Sequence, residues 1–285
     1  MNILKVINNN IVSALDENNE EIIVMGRGLG FHAKSGQKIL EDKVEKIFRL
    51  NNQNETGKFQ ELLKAMPMEH IEISVEIIEY AKSILKNRLN PNIYITLTDH
   101  IDFAITRTKD GMNFPNPLLW ETKTFYPSEY LIGEYAVGLI RKELGMQFSQ
   151  DEAASIALHL VNAEYNTDMN NTMKITTTIR EVLEIVENRI GKKLDEESIH
   201  YSRLVTHLKF LVQRIFSNQL LDDGEEELSQ MIQKMYPSEY ACSQKVVDYI
   251  REKYQIYKVS QDEMTYLAVH IRRISAELNK FNDEE

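Results

Sequence analysis

The first fifty residues alternate short apolar, β-branched runs with polar breaks, a pattern that predicts a small sheet. Residues 3–7, 11–15 and 21–25 are three such runs, and 44–49 is a fourth that alternates more loosely. Asn8-Asn9-Asn10 and the polar stretch 16–20 between them read as turns. The polar stretch 51–57 reads as a linker. From about residue 60 the spacing changes. Ile71, Val75 and Ile78, followed by Ile84 and Leu85, recur at near-helical intervals, and this texture runs almost to the end. A sheet of this size has little core of its own, which favours pairing with a second copy.

Within the helical part the chain repeats itself. Tyr126-Pro127-Ser128-Glu129-Tyr130 recurs unchanged as Tyr236-Pro237-Ser238-Glu239-Tyr240, and Ile140-Arg141 matches Ile250-Arg251 at the same offset of 110. Ser149-Gln150-Asp151-Glu152 returns as Ser260-Gln261-Asp262-Glu263, where Ser-x-x-Glu has the spacing of a capping box. His100, Phe103 and Arg107 match His207, Phe210 and Arg214. The expected fold is therefore a small, dimerising N-terminal antiparallel β domain (1–58) followed by two all-α helical-bundle domains (66–170 and 171–281).

Composition narrows the class. Hydrophobic residues make up 42% and charged residues 27%, ordinary for a globular chain. No apolar run approaches the roughly 18–20 residues of a membrane helix, and the N-terminus does not look like a signal peptide. Cys242 is the sole cysteine, so no intrachain disulfide can form; a reducing cytoplasm fits, and the thiol reads as a packing residue. The net charge of −11 argues against bulk nucleic-acid binding. Residues 1–60, however, hold eight basic and eight acidic side chains, so the whole excess lies further on. Any nucleic-acid site belongs at the N-terminus and works by specific contacts.

Two groups of residues carry candidate chemistry. Gly26-Arg27-Gly28-Leu29-Gly30-Phe31 lacks the Gly-x-Gly-x-x-Gly spacing of a dinucleotide loop, and no apolar helix follows it. It reads either as a plain turn or as an RNA surface. In the second reading Arg27 offers a planar fork, Phe31 a stacking ring, and Asn8 and Asn10 amides for base edges. The second group is His100, His159, His207 and His270, at matched places in the two copies. Each alone reads as a satisfied core histidine. Together they suggest phosphoryl acceptors, with Arg107, Arg214, Arg272 and Arg273 as possible phosphate partners. A metal site using Asp99 or Asp102 is the weaker alternative, because Thr206 and Lys209 replace them in the second copy. The same difference predicts that the copies respond unequally: carboxylates favour protonation of His100, and Lys209 disfavours it at His207. No Ser-His-Asp arrangement, P-loop or metalloprotease helix is evident, and no cofactor, catalytic residue or metal ligand is assigned.

The ordered motifs Lys5-Val6-Ile7-Asn8-Asn9-Asn10, Met25-Gly26-Arg27-Gly28-Leu29-Gly30-Phe31, Lys34-Ser35-Gly36 and Glu45-Lys46-Ile47-Phe48 resemble the co-antiterminator RNA-binding domain of the BglG/SacY/LicT antiterminators. The segments 97–105, 118–121, 157–164 and 206–210 resemble the two phosphotransferase regulation domains of that family, most like its β-glucoside member. The resemblance implies a homodimer that binds an RNA hairpin in an operon leader and prevents terminator formation. It implies RNA contacts at Asn10, Gly26, Arg27 and Phe31, helped by Lys5 and Asn8. It further implies phosphorylation of His100 and His159 by the sugar-specific transporter component of the phosphotransferase system, which inactivates. Phosphorylation of His207 and His270 by the phosphocarrier HPr would activate. The remaining readings are a constitutive RNA-binding dimer with structural histidines and a histidine-metal enzyme.

Overall fold

A computed structural model describes residues 1–217, 226–255 and 259–280. The expected end of the last domain, residue 281, lies outside the described residues. Strands β1 (Asn2–Val6), β2 (Ile11–Leu15), β3 (Glu21–Met25) and β4 (Lys46–Phe48) form one antiparallel sheet in the order β1-β2-β3-β4. The loosely alternating fourth run thus shrinks to three residues, with Lys46 opposite Met25 and Phe48 opposite Ile23.

Both faces of the sheet are covered, which explains why β2 and β3 read as almost continuous apolar runs. One face places Ile3, Val12, Ala14, Ile22 and Val24 against Leu29 and Ile39 of the following loop. The other places Ile11, Ile23, Met25 and Phe48 against helices of the same chain. Phe48 meets the rings of Phe59 and Tyr94 edge-on at 5.3 and 4.9 Å. The shortage of core in the small sheet is therefore met within the chain on this face.

The expected linker at 51–57 is instead the start of a helix, α1 (Gln53–Ala65). The Asn52 side chain accepts the Glu55 N–H and caps it, and buried Thr56, Phe59 and Leu63 supply the apolar stripe. A window dominated by Asn, Gln and Glu hid a capped first turn.

Helices α2 (Met68–Ile84), α3 (Ile93–Lys109), α5 (Pro127–Leu144) and α6 (Gln150–Tyr165) pack with the sheet into one compact unit, 1–119 with 126–167. In it α2 packs on α3, α3 on α6, α6 on α5 and α5 on α2. The second unit comprises 120–125 and the described residues from 168 onward, so most of α4 (Leu119–Phe125) groups with it although its sequence falls in the first copy. There α7 (Met169–Ile190), α8 (Ile199–Ser217), α11 (Gln261–Lys280) and α10 (Pro237–Tyr254) close the same ring, with α9 (Glu226–Met235) beside α10 and α11. The repeat read in the sequence is thus a repeat of packing. Tyr126 and Tyr236 enter α5 and α10 with nearly the same backbone, φ −129° and −132°, each followed by proline at the first helical position.

Candidate RNA interface and histidine sites

The β1–β2 turn and the glycine-rich turn after β3 are tied together by Asn10. Its backbone carbonyl accepts the Gly26 N–H at 2.9 Å, and its side-chain carbonyl accepts the Gly28 N–H at 2.8 Å. Gly30 N–H donates to the Asn9 carbonyl at 2.9 Å. Close approach is why glycine is required here: a Cβ on Gly26 would lie 1.8 Å from the Lys43 carbonyl oxygen, and one on Gly30 would lie 2.1 Å from that of Asn8.

On this clamped turn Arg27 and Phe31 face solvent, Phe31 at 62% exposure. His32, which sequence reasoning passed over, has a left-handed backbone (φ 56°) and sets its ring 4.1 Å from that of Phe31. Lys5 is exposed nearby in sequence on β1. Asn8 is placed differently from the expectation of a free amide. Its carbonyl accepts the Asn10 N–H at 2.9 Å and its NH2 donates to the Leu63 carbonyl at 3.2 Å, so it braces the turn against α1. Asn10 keeps only its NH2 group for an outside partner.

The histidines meet in pairs. His100 on α3 and His159 on α6 have ring centroids 4.5 Å apart; His207 on α8 and His270 on α11 are 4.7 Å apart and stacked. Beyond the ring contact the two pairs differ. In the first, the His100 Nε2 lies 2.6 Å from Oε1 of buried Glu152, whose other oxygen takes the Arg107 guanidinium. Burial raises the Glu152 carboxyl, but the bond from His100 and the charges of His100 and Arg107 outweigh it, leaving it below its ordinary value. In the second, Glu263 takes two hydrogen bonds from Arg214, both at 2.7 Å, and the His207 Nε2 is buried without a partner.

Burial, then the charges of His270 and Arg214, push His207 down to about 3. Burial, then Arg273 and Arg203, lower His270. Burial, then His100, holds His159 well below its ordinary value. These three rings are neutral at pH 7 and keep a lone pair, the form in which imidazole is a nucleophile. The copies differ at the glutamate, where Glu152 bonds both His100 and Arg107 and Glu263 takes both of its bonds from Arg214. Asp99 is exposed, and Asp102 pairs with the buried His70 at 2.6 Å. No group of three His, Cys, Asp or Glu able to hold a metal ion occurs among the described residues.

The capping-box spacing holds only in part: Ser260 Oγ accepts the Glu263 N–H at 3.4 Å, Ser149 makes no cap bond, and both carboxylates turn inward to an arginine of the same copy. The signal was present: Arg107 and Arg214, like the two glutamates, recur in register. Of the arginines expected to receive phosphate, Arg107 and Arg214 are thus engaged, Arg272 lies 3.4 Å from Glu239, and Arg273 acts on His270. No helix among the described residues is long and apolar enough to cross a membrane.

Comparison with known proteins agrees with this arrangement. The CAT RNA binding domain family matches residues 1–57, and the PRD domain family matches 75–163 and 180–274. The chain is 44% identical over 274 residues to the transcription antiterminator LicT of Bacillus subtilis (strain 168), covering 96% of this chain and 99% of that one. It is 38% identical to the beta-glucoside operon antiterminator of Dickeya chrysanthemi, covering 98% and 99%. Among solved structures, GlcT CAT-PRDI superposes with a TM-score of 0.52 at 34% identity, covering 57% of this chain and 97% of that one. The chain belongs to the family of transcription antiterminators in which a CAT RNA-binding domain precedes two PRD domains, and it is a regulator of transcription and not an enzyme.

Proposed function

We propose that the chain acts as a cytoplasmic homodimer that binds an RNA hairpin in an operon leader and keeps the overlapping terminator from forming. Its working domains are 1–58, 66–170 and 171–281. The observation that carries the RNA reading is the turn clamped by Asn10, which holds Arg27 and Phe31 out to solvent on a backbone that tolerates nothing larger than glycine at positions 26 and 30. Arg27 supplies a planar donor, Phe31 a stacking face, Asn10 one amide NH2, Gly26 backbone approach, and Lys5 charge. Asn8 serves by bracing the turn. Exposed Phe103 and Leu131 supply apolar surface for a second copy.

Phosphorylation sets the activity. The sugar-specific transporter component of the phosphotransferase system modifies His100 and His159, and the phosphocarrier HPr modifies His207 and His270. Electrostatics supports opposite signs for the two. A phosphoryl group on His100 adds about −1.5 to −2 charges beside Glu152 and breaks the bond that joins α3 to α6. The same group on His270 meets Arg203 and Arg273, which favour added negative charge. The first modification therefore loosens its domain and inactivates; the second orders its domain and activates. The operon is one for a β-glucoside or a similar sugar, in keeping with the Dickeya chrysanthemi relative.

The test is transfer of labelled phosphate from HPr to the full chain, with RNA binding measured alongside. Uptake that His207→Ala, His270→Ala abolishes, together with tighter RNA binding by His207→Asp, His270→Asp in the absence of HPr, is the expected result. No uptake by the wild type, or unchanged or weaker RNA binding by the folded aspartate variant, overturns the regulatory reading.

A further inference from the structure

A cleft of about 510 Å³ opens along the free edge of β4, between that strand and the segment joining α2 to α3. Its lining contains five cations, Lys46, Arg49, Lys82, Lys86 and Arg88, and no carboxylate. That is notable in a chain of net charge −11. Three of the five are partly neutralised from outside the cleft. Glu79 pairs with Lys46 at 2.7 Å and Lys82 at 3.1 Å, and Asp16 lies 3.4 Å from Arg49. Glu79 stays ionised at neutral pH: burial raises it, but bonds from Lys46, Tyr94 and Lys82 bring it to about 2. Lys86 and Arg88 are exposed and form no ion pair among the described residues. The cleft therefore keeps a local excess of positive charge.

The place of the cleft indicates its occupant. Lys46 pairs in register with Met25, the residue before Gly26 and Arg27, and Glu45 holds the Arg27 N–H at 3.3 Å. The cleft thus begins at the strand end that carries the candidate RNA turn and runs away from it along β4 to Arg49. It is open to solvent along one side, as a nucleic-acid backbone requires, and its free cations come from the α2–α3 segment, outside the RNA-binding domain.

We infer that this cleft, lined by Lys46, Arg49, Lys82, Lys86 and Arg88, is a second RNA contact that takes the sugar-phosphate backbone flanking the hairpin bound by the first domain. The inference rests on the RNA reading of the first domain. Contacts of this kind position a duplex without reading its sequence. The first helical domain would then take part directly in RNA binding, and its packing on the sheet would set how far along the RNA the protein reaches.

The experiment uses the full chain and two RNAs, a minimal hairpin and the same hairpin with its flanking nucleotides. Kd is measured across a salt series for wild type, Lys86→Ala/Arg88→Ala, Lys86→Glu/Arg88→Glu and Arg27→Ala. The expected result is that the alanine pair weakens binding of the long RNA by about tenfold at 0.15 M salt. It also lowers the slope of log K against log salt by about 1 to 2, since each phosphate contact contributes about 0.7–0.9. Binding of the minimal hairpin stays unchanged, and the glutamate pair exaggerates the difference. Arg27→Ala weakens both RNAs alike. Equal affinity of wild type and the glutamate pair for the long RNA overturns the inference, as does equal weakening on both RNAs. Saturable binding of glucose 6-phosphate that the alanine pair abolishes, with RNA affinity unmoved, would assign the cleft to a free phosphate instead. Failure of the wild type to bind either RNA would remove the underlying reading, a result distinct from the others.

Discussion

Replacing Glu152 with glutamine removes one charge from the centre of the first helical domain and almost nothing else. The Glu152 side chain is 5% exposed, and its partners Arg107 and His100 are 12% and 16% exposed, so solvent screens the cluster weakly. Breaking a buried ion pair by removing one partner costs about 3–5 kcal/mol, because the remaining charge stays buried. A glutamine amide of the same length still accepts one hydrogen bond, which recovers about 1–2 kcal/mol. The expected net loss is about 2–3 kcal/mol. For a unit of this size that is a fall in Tm of roughly 5–10 °C at pH 7. Thermal unfolding followed by circular dichroism, with urea titration alongside, reads it. Because the folded Glu152 carboxyl lies below its ordinary value, its stabilisation is present above the unfolded carboxylate range and is lost as pH falls through the folded value. The gap between wild type and variant therefore narrows in acid. Arg107→Met/Glu152→Met, which removes both charges and keeps volume, should recover most of the loss. A Glu152→Gln variant within 0.5 kcal/mol of wild type at pH 7 would refute the claim that this carboxylate holds α3 to α6.

Gly26→Ala would drive a methyl into the Lys43 carbonyl; we expect loss of RNA affinity of at least tenfold with the helical circular dichroism intact, and retained affinity would show that the turn can yield. The histidines give a second pH signature. His207 titrates near 3 when folded and near 6.5 when unfolded, so its contribution is complete above 6.5 and is lost as pH falls toward 3. Between pH 7 and 5 that is about 2 kcal/mol, and a His207→Gln variant should show a correspondingly flatter dependence of urea stability over this interval.

Much of this architecture was legible because it rests on local periodicity and duplication. The pentapeptide beginning at Tyr126 and its copy at Tyr236 fixed the offset, and the two helical rings followed. The sheet was legible because β2 and β3 are buried on both faces and so read as plain apolar runs. What was hidden depended on contacts distant in sequence. The first turn of α1 looks like a linker until Asn52 is seen to cap it and Phe59 to meet Phe48. Asn8 looks like a free amide until Leu63, 55 residues on, takes its NH2. Glu152 has the spacing of a cap, and nothing local says that it prefers His100, 52 residues earlier. The histidine pairs lie between these cases: their recurrence was visible, but not the difference in partner that gives each pair its own electrostatics.

The most direct test of the account is a titration of the full chain against an RNA hairpin from its own operon leader, with wild type, Arg27→Ala and Phe31→Ala compared at two salt concentrations. The account predicts selective wild-type binding, with each variant about tenfold or more weaker and still folded, since loss of one stacked base costs about 1–3 kcal/mol. Arg27→Ala should also flatten the salt dependence, and Phe31→Ala should leave it unchanged. A folded wild type that ignores the hairpin, or variants that bind it as tightly as wild type, would contradict the assignment of this turn as the RNA-reading surface.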